Sequence, residues 1–397
     1  MNGKGIYMDN HATTPLDPRV LEAMMPYFTE TFGNAASRSH GYGWEAEKAA
    51  ETGRERIARL INAKAKEIIF TSGATESDNL AIKGVVEFYK DKGNHVITAA
   101  IEHKAVLDTC KALERKDLAT VTYLPVDRDG LVDPDDVRKA ITDKTLLVSI
   151  MFANNEIGTI NPIGEIGKVT REKGVLFHTD ATQGVGKLPL DVEAMNIDLL
   201  SMSAHKLHGP KGVGVLYVRK GTMLRPLLYG GHHERDRRPG TENVPGIVAL
   251  GKAAELALNG LAEEPARVAA LRDRLEEGIL RKIPLAAVNG DSKRRLPTTT
   301  SIRFDYIEGE GFVIAMDLRG IACSTGAACS SGSLEPSHVL SAVGLTPDQA
   351  RSSIRFSLSR FNTLEEIDHT IEVLPAVVEQ LRSVSPHYRS PAVALKG

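Results

Sequence analysis

Between residues 67 and 218 the chain repeats one unit: a short apolar, β-branched run that ends in polar residues, followed by a longer stretch with helical spacing of its apolar positions. Strands separated by helix-length segments cannot pair through tight hairpins. They need crossovers, and so build a mostly parallel sheet with helices on its faces. The runs predict strands at 67–71, 95–99, 120–124, 146–151, 175–177, 198–202 and 214–218, a seven-stranded α/β sheet. In such sheets ligands gather beyond the carboxyl ends of the strands. The polar clusters sit at those ends: Ser72-Gly73-Ala74-Thr75, Glu102-His103, Asn154-Asn155, Asp180 and Ser203-Ala204-His205-Lys206.

A chain of 397 residues exceeds one ordinary core, so two domains are expected. Residues 247–283 read as a long helical connector. Beyond them the pattern changes to strands at 298–304, 320–323 and 353–357, with helices at 311–318 and 364–383, a smaller α+β unit. The expected division is a large domain at 16–260, a small domain formed by 1–15 and 261–384, and a flexible tail at 385–397. With 49 basic against 51 acidic residues the formal net charge is -2, which provides no field for nucleic acid or an anionic membrane. The opening Met1-Asn2-Gly3-Lys4-Gly5-Ile6-Tyr7 carries no apolar signal core, and no run approaches the ~18 apolar residues of a span, so a cytoplasmic location is expected. Three cysteines, Cys110, Cys323 and Cys329, cannot all pair and suit a reducing compartment.

An amine at a strand end can condense with an aldehyde, and Lys206 is so placed. Asp180, delivered by the preceding strand, can keep a pyridine nitrogen protonated. Together they are the minimal equipment for pyridoxal phosphate. Thr75 and the helix N-terminus opened by Ala74 offer donors to a phosphate, as do Ser203 and His205; the bland reading is a capped turn. His103 can stack on the cofactor ring and move protons. Asn155 and Arg355 are far apart in sequence and meet only at a domain interface, where a planar guanidinium suits a substrate carboxylate; alternatively Arg355 is the outward face of a strand.

Cys323 ends an apolar run and Cys110 lies in a helical pattern, so both read as packing residues. Cys329 lies in a run of small residues, Cys323 to Ser333, that suits a mobile surface loop and makes it a candidate nucleophile. The segment from Gly230 to Asn243 is dense in charge and imidazole and reads as a solvated connection rather than a metal site.

With these residues in place the chain resembles the cysteine desulfurases that supply sulfur for iron-sulfur cluster assembly, among the class V fold-type I pyridoxal-phosphate enzymes. The resemblance runs from Asp9-Asn10-His11-Ala12-Thr13-Thr14 to about residue 380. It rests on Ser72-Gly73-Ala74-Thr75-Glu76-Ser77-Asp78-Asn79, Glu102-His103-Lys104, Asn154-Asn155-Glu156, Asp180-Ala181-Thr182-Gln183, the Lys206 segment, Gly240-Thr241-Glu242-Asn243 and Ala328-Cys329-Ser330-Ser331-Gly332. It implies that Lys206 attaches the cofactor, Asp180 meets the ring nitrogen and Gln183 the ring oxygen, and His103 stacks. For the phosphate it implies Ala74, Thr75, Ser203 and His205, with Thr241 supplied across a homodimer.

The resemblance also implies that Asn155 and Arg355 hold the carboxylate of L-cysteine and that Cys329 accepts its sulfur, releasing alanine, for passage to an acceptor or scaffold protein. A selenocysteine lyase or class V aminotransferase remains the alternative, as does a scaffold holding a metal or cluster through Cys323 and Cys329. Three positions depart from the family pattern: Ala35, His208 and Asp236. The last replaces a usual glycine, and aspartate fits a positive φ less readily. The tail at 385–397 does not resemble the segment with which relatives hold a scaffold.

Overall fold

The computed structural model describes residues 5–326 and 336–388. In chain order its strands are β1 (Ile6–Tyr7), β2 (Ile68–Thr71), β3 (His95–Ala99), β4 (Thr120–Leu124), β5 (Thr145–Ser149), β6 (Leu176–Asp180), β7 (Leu199–Ser203), β8 (Gly214–Val218), β9 (Ala286–Val288), β10 (Thr299–Phe304), β11 (Ile321–Ala322), β12 (Ser324–Thr325) and β13 (Ser353–Ser357). The helices are α1 (Pro18–Met24), α2 (Pro26–Thr29), α3 (Gly41–Leu60), α4 (Ala74–Tyr89), α5 (Lys104–Glu114), α6 (Pro134–Ala140), α7 (Ile163–Lys173), α8 (Val244–Gly260), α9 (Glu264–Lys282), α10 (Gly309–Asp317), α11 (His338–Ala342), α12 (Pro347–Arg351) and α13 (Leu364–Ser383).

Seven strands form the main sheet in the order β2-β8-β7-β6-β5-β3-β4. Only β8 runs against its neighbours, so the other six strands end at one edge. The mostly parallel α/β sheet expected from the sequence is therefore present. Its inner strands are buried almost throughout because both faces are covered. Side chains alternate between two cores: Ile68, Phe70, Val148, Phe177 and Val215 pack with Ile57 of α3, Ile166 of α7 and Leu250 of α8. Ile69, Val96, Leu147, Leu199 and Leu216 pack with Leu80 and Val85 of α4 and Val106 of α5. Helices α3 and α8 cross so closely that a Cβ on Gly251 would lie 2.5 Å from the Cα of Gly53.

A second sheet, β12-β13-β10-β9, carries its own core of Met8, Leu275, Phe304, Phe312, Phe356 and Leu374 between α9, α10 and α13. The N-terminal strand joins this part of the molecule: β1 pairs with β11, and Asp9 bridges to Ser357. Residues 339–350 lean the other way, with Val339, Leu340, Val343 and Ala350 entering the core of the main sheet. The helical stretch expected as one connector is two helices bent by 77°. The break falls after Gly260, and Pro265 occupies the first turn of α9, where its missing N–H costs no hydrogen bond. No single helix among the described residues is long and apolar enough to cross a membrane.

Candidate active site

Where the six co-directional strands end, a cavity of about 710 Å³ opens. Ser72, Gly73, Ala74 and Thr75 reach it from the turn between β2 and α4, His103 from the start of α5, and Asn155 from the turns after β5. Asp180 and Gln183 come from the end of β6 and the turn beyond it, and Ser203, His205 and Lys206 from the end of β7. Arg355 comes from β13 of the second sheet. Residues as far apart in the chain as His11 and Arg355 thus line one space. Thr241 is exposed outside the cavity, and Cys329 lies outside the described residues.

Helix α4 begins without a side-chain cap, so its first N–H groups have no intrahelical acceptor and face the polar end of the cavity. Close packing sets this turn: a Cβ on Gly214 would lie 2.5 Å from the Cα of Gly73. His205 sits beside it, held low at about 4 by burial and then by the charges of Lys206 and Lys211. The positive surroundings that depress His205 favour an anion. Lys206 Nζ donates to the carbonyls of His11 and Ala12, the latter at 2.8 Å, and these bonds hold the amine at the centre of the cavity wall.

Under the cavity the buried carboxyls of Asp78 and Glu102 are both raised, by burial first and by the charge of Asp180 as well. His178, lowered to about 4 by burial, is neutral at pH 7 and bridges Ser149 and Ser201 at 2.8 and 3.0 Å. Burial thus works against charge on the groups beneath the cavity, while Asp180 and, from the start of α4, Glu76 are the acidic side chains that line it. His103 Nδ1 accepts the Ala105 N–H at 3.1 Å, which puts the proton of the neutral ring on Nε2.

Arg355 is 1% exposed, contrary to its reading as an outward strand residue. Its Nη1 donates to the Asn155 carbonyl at 3.0 Å and its Nη2 to Asp9 at 2.6 Å, while Nε is buried with no partner among the described residues. His11 was not singled out from sequence. It donates from Nδ1 to the same Asn155 carbonyl at 3.0 Å, and Thr299 Oγ1 donates to its Nε2 at 2.7 Å. It thereby ties Asn155 to the second sheet.

The donor set fits pyridoxal phosphate: an uncapped helix end with Ser203 and His205 for a dianion, Asp180 for a protonated ring nitrogen, and an amine for the aldehyde. The hydroxyl of Thr182, also on the cavity wall, is buried without a partner among the described residues and has hydrogen-bonding capacity to spare.

A family model for class-V aminotransferases matches residues 6–370. The chain belongs to the class-V aminotransferase family. Among curated class-V relatives it is 55% identical to the cysteine desulfurase IscS of Anaeromyxobacter dehalogenans, over 96% of this chain and 95% of that protein. It is 53% identical to the IscS of Methanosarcina thermophila over 96% and 94%. A solved NifS-like protein superposes with a TM-score of 0.89 at 40% identity, covering 96% of this chain and all of that one. SspA in complex with cysteine gives 0.80 at 39% identity, covering 90% of this chain and all of SspA. The class-V, fold-type I architecture expected from the sequence is confirmed by these neighbours.

The family reading also accounts for two departures. His208 packs edge-on against Phe361 at 4.8 Å, so an aromatic contact is kept. Ala35 is buried with Ala46, Ala49 and Val248. The charged run from Gly230 to Asn243 is a correction: Glu234 turns inward and pairs with buried Arg54 at 2.8 and 2.9 Å. It does so through left-handed backbone at Glu234, Arg235 and Asp236. Local charge density gives no sign of that inward turn.

Proposed function

We propose that the chain is a pyridoxal-phosphate-dependent cysteine desulfurase that converts L-cysteine to L-alanine and places the sulfur on Cys329. The observation that carries the reading is the convergence of Lys206, Asp180, His103 and Arg355 on one cavity between two sheets. When bound, the cofactor supplies an electron sink that weakens bonds around the α-carbon of an amino acid. Ala74, Thr75, Ser203 and His205 hold its phosphate, Asp180 its ring nitrogen and Gln183 its ring oxygen, with Thr241 contributed by the partner of a homodimer.

Arg355 and Asn155 bind the substrate carboxylate. The geometry of the guanidinium, a fork already fixed by Asp9 with one buried N–H unmet among the described residues, supports that role. Lys206, released by substrate, takes the α-proton, and His103 moves a second proton. The C–S bond of cysteine then breaks as an S–S bond forms at Cys329, and the substrate's hydrogens stay with alanine and the new persulfide. Of the three cysteines, Cys110 is pushed up to about 12 by burial and Cys323 further still, so neither offers a thiolate at neutral pH. Burial of Cys323 also disfavours a scaffold role that needs both loop thiols.

We take 16–260 as the cofactor domain, 1–15 with 261–384 as the small domain, and the cytoplasm as the location. A sulfur acceptor or scaffold protein completes the cycle. The test compares alanine release from cysteine with turnover of selenocysteine and of an amino acid/keto acid pair, in wild type and Lys206→Ala. Cysteine-dependent alanine that disappears with the lysine supports the reading. Efficient transamination with no release of sulfur overturns it in favour of an aminotransferase.

A further inference from the structure

Lys187 is a half-buried amine with no part in the reaction as described. It follows Gln183 by four residues in the irregular turn after β6. Its Nζ donates to the Gln183 backbone carbonyl at 3.1 Å and to the side-chain Oε1 at 3.2 Å. The other end of that amide, Nε2, donates to the His11 carbonyl at 3.1 Å, the same oxygen that accepts from Lys206. One carbonyl on the cavity wall thus collects the amide of Gln183 and the amine of Lys206, and Lys187 holds the far side of the pair.

A glutamine amide is nearly symmetric in shape, so which end faces the cavity is decided by its partners alone. An ammonium has donors and no acceptor. Lys187 therefore fits against Oε1 and repels the NH2 end. Burial, and then the charge of Lys206, lower Lys187 to about 7, so the ammonium that selects Oε1 prevails below that pH, and above it the amine's lone pair relaxes the selection. A flipped amide would turn its carbonyl toward the cavity and lose a donor where an anionic ring oxygen needs one.

We propose that Lys187 is a positioning residue that locks the Gln183 amide with its NH2 toward the cavity, so that Gln183 meets the cofactor's ring oxygen as a donor. This rests on the cofactor reading above. A donor at that oxygen withdraws charge and lowers the pH midpoint of the bound cofactor's visible absorption change; loss of the lock raises it.

The test measures that midpoint, and the affinity of each apo-protein for pyridoxal phosphate, in wild type, Lys187→Met, Lys187→Arg, Gln183→Ala and the Lys187→Met/Gln183→Ala double variant. Lys187→Met should raise the midpoint by about one unit and weaken cofactor binding about tenfold, in line with the loss of one charge-assisted bond. Lys187→Arg keeps the donors and should stay within about twofold of wild type. The double variant should be no worse than Gln183→Ala, since the lock has nothing left to hold. If Lys187→Met does not fold, Lys187→Gln should give a smaller shift in the same direction. An unchanged midpoint in a cofactor-loaded Lys187 variant, or additive losses in the double variant, overturns the inference alone. A wild type that takes up no pyridoxal phosphate overturns the inference together with the reading beneath it.

Discussion

Glu156 lies next to Asn155 and is 4% exposed, with Ser337 donating to its Oε2 at 2.5 Å. Burial raises its carboxyl to about 7 against the opposing pull of that hydrogen bond and of Arg355. A carboxyl raised in the folded state binds its proton more tightly there than in the unfolded chain. Stability from this group is thus full below its ordinary value of 4.5 and declines as pH rises toward 7. Between pH 5 and 8 it should remove up to about 3 kcal/mol. Glu156→Gln can still accept from Ser337 and should flatten that part of the slope; urea unfolding of the apo-protein at pH 5, 6.5 and 8 measures it. A variant whose pH slope matches wild type would refute the assignment. At this scale the sequence revealed what residue type and strand-end position reveal: Lys206, Asp180 and His103. It concealed Lys187 and His11, because their partners, the Gln183 amide and the Asn155 carbonyl, are supplied by turns whose geometry no local period encodes.

The strands were legible because all but the edge strand β4 are short buried runs of the kind a two-faced sheet requires, and β3, β4 and β8 fall on the expected residues. The break between α8 and α9 was signalled by Gly260 and Pro265, but an unbroken helical spacing of apolar residues masked it. Of the turn at 234–236 only the strained position of Asp236, where the family usually has glycine, was legible; the inward course of Glu234 was not. Its charges suggest solvent, yet Glu234 also accepts the Phe70 N–H at 3.0 Å, and Arg54 donates to the Ile68 carbonyl at 2.7 Å. The loop is therefore stapled to β2, the strand that leads into the uncapped end of α4. Glu234→Gln removes the most buried of the carboxylates on Arg54, which keeps Glu51 at 2.9 Å and Glu242 at 3.8 Å, and should cost about 1–3 kcal/mol. Asp236→Gly acts in the opposite direction. Aspartate holds φ at 63° there, and glycine relieves that conformation, for a gain of about 1 kcal/mol. The exposed His232 contact it loses is worth little. Denaturation midpoints of the two variants should move in opposite directions; a shared direction would contradict the stapled-turn description.

Across the whole molecule, the apolar surface is uneven. Met25, Phe28, Phe32, Tyr42 and Trp44 are all exposed, with the rings of Phe32 and Tyr42 5.4 Å apart, and Tyr229 is 84% exposed in the segment that leads to Thr241. The Phe32–Tyr42 pair and the neighbouring exposed Trp44 of α3 suit contact with a second copy of the chain. Trp44 is the only tryptophan and is 57% exposed in the single chain. In a homodimer through this face its emission should be blue-shifted, and dilution to the monomer should red-shift it before the protein unfolds. Fluorescence alongside light scattering checks this; a solvent-like emission from a scattering-confirmed dimer would move the interface elsewhere.

A desulfurase of this design is defined by where the sulfur goes. Intact and peptide mass spectrometry of the cofactor-loaded protein after one brief exposure to cysteine locates it. One added sulfur on the peptide that contains Cys329, absent in Cys329→Ser, is the expected result. Alanine released with no sulfur on that peptide, or sulfur carried by Cys110 or Cys323 instead, would contradict it.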